Sequence, residues 1–250
     1  MIEIQNIEKS FNDKQILYGI SAVFEQGKTN MIIGASGTGK SVLLKCIVGL
    51  VPPEKGKVLY NSRDFYQSNR EEQKKIRSEI GMLFQGSALF DSMTVEENVM
   101  FPLNIQGEKM SANEKKDRVY FCLNRVGLEN AGQKMPSELS GGMKKRVGIA
   151  RAIVLNSQYL FCDEPNSGLD PITAIRIDNL IQEITHEFNL TTVVVSHDMN
   201  SVMEIGQNII FLHKGYKLWE GSNTNILHTD CQELRDFIFS NKLMMEFNKQ

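Results

Sequence analysis

Three short groups of residues in this chain have the types and spacing to handle phosphate. The first is Gly34-Ala35-Ser36-Gly37-Thr38-Gly39-Lys40-Ser41, a complete G-x-x-x-x-G-K-S. In such a loop successive backbone N–H groups cradle phosphate oxygens, Lys40 has the reach for β and γ phosphates, and the Ser41 hydroxyl can ligate Mg²⁺. The second is the carboxylate pair Asp163-Glu164. Asp163 would hold Mg²⁺ directly or through water, while Glu164 polarises the water that attacks a γ-phosphate. The third, Ser140-Gly141-Gly142, is far from both along the chain. Ser140 reads as the N-cap of a helix containing Met143-Lys144-Lys145-Arg146, and the glycines let an anion approach free N–H groups at the positive end of the helix dipole. Alone, the third group would be a capped helix after the turn Pro136-Ser137-Glu138, and the second a solvated strand end. Beside a complete phosphate loop, both read as parts of a nucleotide site.

These groups need particular elements to carry them. The apolar run Met31-Ile32-Ile33 precedes the loop as a short buried strand and residues 42–48 follow with helical character, which is the strand, loop and helix the motif requires. Tyr159-Leu160-Phe161-Cys162 forms an apolar strand ending at the two acids. Residues 80–84 form another, and Gln85 after it can lean towards Mg²⁺ or the attacking water. An N-terminal antiparallel layer is predicted from residues 2–7 and 16–24, and a helix over 173–188. Residues 57–64 read as a hairpin whose turn falls on Asn61 and Ser62, since Asn tolerates the left-handed conformation. The charged run 70–79 reads as a solvated helix face, and Lys144-Lys145-Arg146 likewise as needing no partner. Residues 229–239 read as an amphipathic helix, with Lys242-Leu243-Met244-Met245-Glu246-Phe247 beyond it. The expected fold is α/β: a P-loop NTPase core with an N-terminal antiparallel β layer and an inserted α-helical subdomain. Residues 1–240 make one domain, 86–157 its helical subdomain, and 241–250 a C-terminal tail.

Composition narrows the class further. With 250 residues, 41% of them hydrophobic, the chain has ample material for a core. Mean hydropathy is −0.26 and no apolar stretch approaches bilayer length, so the chain is no channel. The start, Met1-Ile2-Glu3-Ile4-Gln5-Asn6-Ile7, alternates like a strand and lacks the form of a secretion signal. Cys46, Cys122, Cys162 and Cys231 are scattered, which predicts reduced, mostly buried thiols. A net charge of −2 demands no nucleic acid. His186, His213 and His228 have no placement that suggests chemistry.

On these residues and in this order, the chain resembles the ATP-binding subunit of an ABC transporter over nearly its whole length. The resemblance implies that Phe11 stacks on adenine, that Gln85 is the Q-loop glutamine, and that Ser167-Gly168-Leu169-Asp170 is the D-loop, which crosses a dimer interface and puts Asp170 among the nucleotide-binding residues. It also implies that His197, after the β-branched strand Thr191-Thr192-Val193-Val194-Val195-Ser196, is the switch histidine on the γ-phosphate. The implied activity is hydrolysis of ATP with Mg²⁺ in a head-to-tail homodimer, each nucleotide lying between Lys40 of one copy and Ser140 of the other. Binding then closes the dimer and hydrolysis opens it. The implied partners are integral-membrane permease subunits, and the implied place is peripheral, at the cytoplasmic face of the inner (cell) membrane. Residues 88–103 would offer the permease an apolar groove.

A finer resemblance rests on Gln85-Gly86-Ser87-Ala88-Leu89-Phe90-Asp91-Ser92-Met93-Thr94-Val95-Glu96-Glu97-Asn98-Val99 with Phe101-Pro102-Leu103, and on residues 135–146, 163–165 and 168–173. These are similar to the ATPases of Mla-type systems, which work with MCE-domain proteins on phospholipid traffic across the bacterial envelope. An MCE-domain partner and phospholipid as indirect cargo are the expectation that follows. The alternatives are a soluble single-cassette ABC ATPase acting in protein or Fe–S cluster assembly, and an ABC importer or exporter ATPase for another substrate. A P-loop kinase of small molecules would leave Ser140-Gly141-Gly142, the D-loop and His197 without jobs.

Overall fold

Tight two-residue turns build the first layer. In the computed structural model, which describes residues 1–106 and 110–239, β1 (Ile2–Phe11) and β2 (Lys14–Phe24) pair antiparallel through Asn12 and Asp13, both left-handed. Two consecutive positive φ values make a turn whose twist matches that of the strands it joins. The ladder therefore runs up to the turn on both sides, further than the predicted 2–7 and 16–24. The hairpin of β4 (Lys55–Tyr60) and β5 (Arg63–Asp64) turns in the same way at Asn61, φ 46°, and Ser62, φ 66°, as Asn61 suggested. Together these strands form one sheet in the order β2-β1-β4-β5.

The second sheet, in the order β10-β9-β3-β8-β7-β6, carries the chemistry. β3 (Thr29–Ile33), β6 (Ile80–Leu83), β7 (Tyr159–Asp163), β8 (Thr191–Ser196) and β9 (Asn208–His213) are parallel, and β10 (Tyr216–Gly221) pairs antiparallel with β9. β3 and β8 are buried along their whole length, which explains their continuous apolar and β-branched character. Register sets Ile33 beside Ser196 and Asp163 beside Val195. The loops that follow β3, β7 and β8 thus emerge together at one edge, where ligands of open parallel sheets bind.

Helices cover both faces of this sheet. The helix α1 (Lys40–Ile47) is sandwiched between the two sheets, with Leu43, Leu44, Cys46 and Ile47 fully buried against the first layer and Ile32, Phe161 and Val195. α2 (Arg70–Ser78) is capped by Asn69. The opposite face is packed by α3 (Val95–Gln106), α4 (Ala112–Arg125), α5 (Gly141–Ile153), α6 (Pro171–Glu187), α7 (Met199–Ile205) and α8 (Gln232–Phe239). α6 starts two residues before the predicted 173 because Asp170 caps it and Pro171, with no N–H to satisfy, suits the first position.

One charged segment is less solvated than its composition suggests. In the run 70–79, Ile76 is fully buried and Arg63 clamps Glu72 at 3.0 Å and Glu79 at 2.5 Å, so two of its acids work inside the fold. Cys46, Cys122 and Cys162 are buried free thiols and Cys231 is half-buried, as scattered cysteines predict. No helix among the described residues is long and apolar enough to cross a membrane. The tail 241–250 lies outside the described residues.

Candidate active site

The glycine loop leaves β3 and enters α1 in a conformation that side chains would forbid. Gly34 has φ 148°, and a Cβ there would sit 2.3 Å from the Leu212 carbonyl oxygen. Gly39, φ 100°, is the N-cap of α1 and supplies no side-chain cap, so the first N–H groups of the helix are left for an anion. Residues 35–37 are exposed, whereas Thr38 and Lys40 are buried. Thr38 Oγ1 donates to the Ala35 carbonyl at 2.9 Å, bracing the loop from within. The Lys40 ammonium folds over the loop and donates to the Gly34 and Ala35 carbonyls at 2.8 and 2.9 Å. Burial lowers its pKa, against the attraction of Glu164 and Asp163.

Ser41, the second residue of α1, donates its hydroxyl to Asp163 Oδ1 at 3.4 Å across the gap to β7. Burial and the Glu164 charge push the Asp163 carboxyl up, with Ser41 and the lysines 45 and 40 opposing. A half-buried hydroxyl–carboxylate pair is a hard-oxygen donor set that fits Mg²⁺. Ser41 and Asp163 are the residues that would hold the ion.

Glu164 occupies a backbone position unusual for its type. Its φ is 47°, in the left-handed region, and its N–H donates to Val195 O at 2.9 Å. This costs about 1–2 kcal/mol and marks a site the fold imposes. The turn brings the carboxylate to two other residues: Gln85 Nε2 donates to Oε2 at 3.2 Å, and His197 Nδ1 lies 3.0 Å from Oε1. Against an ionised carboxylate, which only accepts, the bridging proton would be on Nδ1. Residues from the ends of β6, β7 and β8 thus converge on one acid. A cavity of 440 Å³ adjoins it, lined among others by Glu164, Ser167, His197 and Phe237.

The Ser140 group is elsewhere. Ser140 caps α5, its Oγ accepting from Met143 N at 3.3 Å, and Ser140 and Gly141 are exposed. The structure does not bring them to residues 34–41 of the same chain. Gly142 packs tightly on α6, where a Cβ would come 2.5 Å from Thr173 Cγ2. Asp170 accepts from Thr173 N at 3.0 Å, so within the chain it caps α6 and does not reach the glycine loop. Phe11 ends β1 with 45% exposure and the Lys9 ammonium 5.2 Å from its ring centroid, which excludes a core role.

Several side chains in or beside the site escaped sequence reasoning. Lys145 is 4% exposed and donates to the carbonyls of Gln85 and Glu164 and to Ser167 Oγ. Arg146 donates to the Val126 and Gly127 carbonyls, so two of the triplet Lys144-Lys145-Arg146 have firm partners, contrary to the reading of that triplet as free. The signal was periodicity: Lys145 shares the buried face of α5 with Gly142, Ile149 and Ala152. Asn98, fully buried on α3, bonds the backbone of Phe90, Met93 and Thr94, while Arg151 holds the carbonyls of the left-handed Ser87 and Ala88. They shape the loop after Gln85 beside a groove lined by Met82, Ala88, Phe90, Phe101, Pro102 and Leu155. Asn166, two residues past Glu164, donates to the buried Asp178 at 2.7 Å and to Ser201 at 2.8 Å.

A glycine loop closed by a buried lysine, a hydroxyl–carboxylate pair beside it and a second acid gripped by Gln and His define a P-loop ATPase. Residues 17–167 match the family model described as ABC transporter, and the chain belongs to that family. It is an ATPase that works with ATP and Mg²⁺. It is 37% identical over 237 residues to the "Probable ribonucleotide transport ATP-binding protein mkl" of Mycobacterium leprae, covering 95% of this chain and 68% of that one. The chain thus spans about two thirds of the length of this relative. It is also 37% identical over 245 residues to the methionine import ATP-binding protein MetN of Clostridioides difficile, covering 98% and 76%. Among solved structures, the dimeric ABC transporter cassette MJ0796 superposes with a TM-score of 0.81 at 33% identity, covering 89% of this chain and 99% of that one.

Proposed function

We propose that this chain is the ATP-binding and ATP-hydrolysing subunit of a transporter, binding two ATP in a head-to-tail homodimer and driving a membrane permease from the cytoplasmic face of the inner membrane. The observation that carries the reading is the convergence of Gln85 and His197 on Glu164, next to the Ser41–Asp163 pair. Gly34, Ala35, Ser36, Gly37, Thr38 and Gly39 turn their backbone N–H groups to the phosphates, and Lys40 exchanges its loop carbonyls for phosphate oxygens. Phe11 offers its exposed ring to adenine. Bound by Ser41 and Asp163, with Gln85 in reach, Mg²⁺ would neutralise the charge that develops on the phosphates. Glu164 takes the proton from the attacking water, His197 orients the γ-phosphate, and Gln85 orients the water. Ser140, Gly141, Gly142 and Asp170 complete the site of the other copy. In this reading residues 1–240 act as one ATP-binding domain, and 86–157 as the helical unit within it.

The cargo we propose is phospholipid moving across the bacterial envelope, with an MCE-domain protein in the assembly. The similarity of residues 85–103 and 135–146 to Mla-type ATPases supports this. The names of the relatives supply a second reading, a cassette serving a different solute such as a ribonucleotide or methionine. Purification of the tagged chain from membranes, with its co-purifying proteins and lipids identified, separates the two. Recovery of a permease with an MCE-domain protein supports the first, and a solute-binding importer supports the second. For hydrolysis the test is Glu164→Gln, which should bind ATP, accumulate as a dimer and release almost no phosphate. Near-normal release would remove Glu164 from its role.

A further inference from the structure

We propose that Lys145 is a positioning residue for hydrolysis, tying the helix that begins at Gly141 and Gly142 to the backbone on which Gln85 and Glu164 stand. It rests on the hydrolysis reading above. Lys145 sits one turn into α5 and is 4% exposed. Its Nζ donates to Gln85 O, to Glu164 O at 3.3 Å and to Ser167 Oγ at 3.4 Å. Three donors meet three acceptors, one from the loop after β6 and two from the loop after β7. Among the described residues no carboxylate pairs with it: the bonds go to two carbonyls and a hydroxyl.

A buried ammonium is expensive to keep, and burial lowers its pKa against the attraction of Glu164 and Asp163. Apolar packing would fill the same space without that cost, so the charge points to a task. The bonds show what it is. Glu164 is strained at φ 47° and has its N–H on Val195 O, while Lys145 holds its carbonyl. The residue is gripped on both sides of its Cα. The Gln85 carbonyl is held by the same ammonium, and Ser167 Oγ lies 3.5 Å from that carbonyl. Lys145 therefore fixes the separation of Gln85 and Glu164. It stands four residues, about 6 Å along the axis, from the exposed end of α5. A displacement of that end on meeting the second copy's nucleotide passes through one side chain to the two groups that orient the water.

The experiment compares Lys145→Met, of similar length without donors, with Lys145→Arg, which keeps charge and donors. Steady-state hydrolysis, ATP-dependent dimerisation and melting are measured on each, with Glu164→Gln alongside. Lys145→Met should lose about 10- to 100-fold in kcat, as misplacement of reacting groups by about 1 Å does, with KM for MgATP and the melting temperature near those of the parent. Lys145→Arg should recover a substantial part of kcat. Should the Met variant not fold, Lys145→Gln, with a shorter neutral donor, should show the same fall in kcat at unchanged KM. Parental kcat in Lys145→Met or Lys145→Gln overturns the proposal, as does a loss that appears equally in KM and melting and that Arg does not restore. If Glu164→Gln still releases phosphate, the hydrolysis reading itself fails; if it is inactive while Lys145→Met is unimpaired, only the role of Lys145 fails.

Discussion

The two helix N-termini offered to phosphate in this molecule are built on opposite plans. α1 starts from a left-handed glycine with no side-chain cap, and a buried lysine folds over the loop in front of it. α5 starts from an extended serine, φ −64° and ψ 163°, whose own hydroxyl caps the helix, and its end is exposed. The first encloses its ligand site within one chain. The second is an ordinary capped helix, and in the proposed dimer its ligand would come from a second copy. The contrast teaches that the same backbone electrostatics can make a pocket or half an interface, according to what surrounds the helix end.

Substitutions can break this contrast, and the largest effect belongs to the acid between the two ends. Glu164→Gln should reduce phosphate release by about 100-fold or more while ATP still drives dimerisation, measured by phosphate assay and size-exclusion chromatography. A variant that stays monomeric with ATP would deny α5 its role. Next, Lys40→Ala should weaken ATP binding to the isolated chain by roughly 10- to 100-fold, the worth of a charge-assisted bond to phosphate, read by calorimetry. By contrast, Gly142→Ala, whose methyl would meet Thr173 Cγ2 at 2.5 Å, should leave that binding within about twofold and lower the turnover of the dimer about tenfold. Equal losses of binding in both variants would erase the distinction.

Buried Asp178 on α6 has a pH signature of its own. Burial raises the Asp178 carboxyl from its ordinary 3.8 to about 6, with bonds from Ser201 and Asn166 opposing and Asp198 and Glu204 adding repulsion. Between these values the folded protein holds a proton that the unfolded chain has lost, so stability from this group rises as pH falls from 7 to 5. The gain is about 1 kcal/mol, or roughly 2–4 °C in melting temperature. Asp178→Asn should remove that part of the pH dependence, as a melting series on both proteins would reveal. The smallest effect on hydrolysis belongs to the groove: Ala88→Arg or Phe90→Asp should keep basal hydrolysis within about twofold yet abolish stimulation by the permease. Unchanged stimulation and co-purification would reject the groove as a docking site.

Much of the α1 side was legible because its causes are local. A strand, a glycine loop and a helix follow one another without interruption, and left-handed positions at 34 and 39 require glycine. The Ser140 cap was legible for the same reason, since its hydrogen bond spans three residues. The Asp170 cap is local too, its bond reaching only Thr173 N, whereas its place at a nucleotide rests on the family resemblance. That Phe11 is exposed was not legible in β1 alone, because nothing there says where the sheet ends. Lys145 was misread outright, since a lysine between Lys144 and Arg146 looks solvated until the loops carrying Gln85 and Glu164 are folded over it.

The sequence by itself determined the elements, the phosphate loop, the acids and the helix cap, because hydrogen bonds and side-chain periodicity over a few residues enforce them. The tertiary structure alone decided that Gln85, Glu164 and His197 meet, and that Lys145 lies beneath them. These residues follow the ends of strands β6, β7 and β8 or stand on α5, and only the parallel register of the sheet brings those ends to a common edge. A site assembled from separate loops depends on pairing over long stretches of chain, and that pairing is fixed by burial of the whole core, not by any residue within the site.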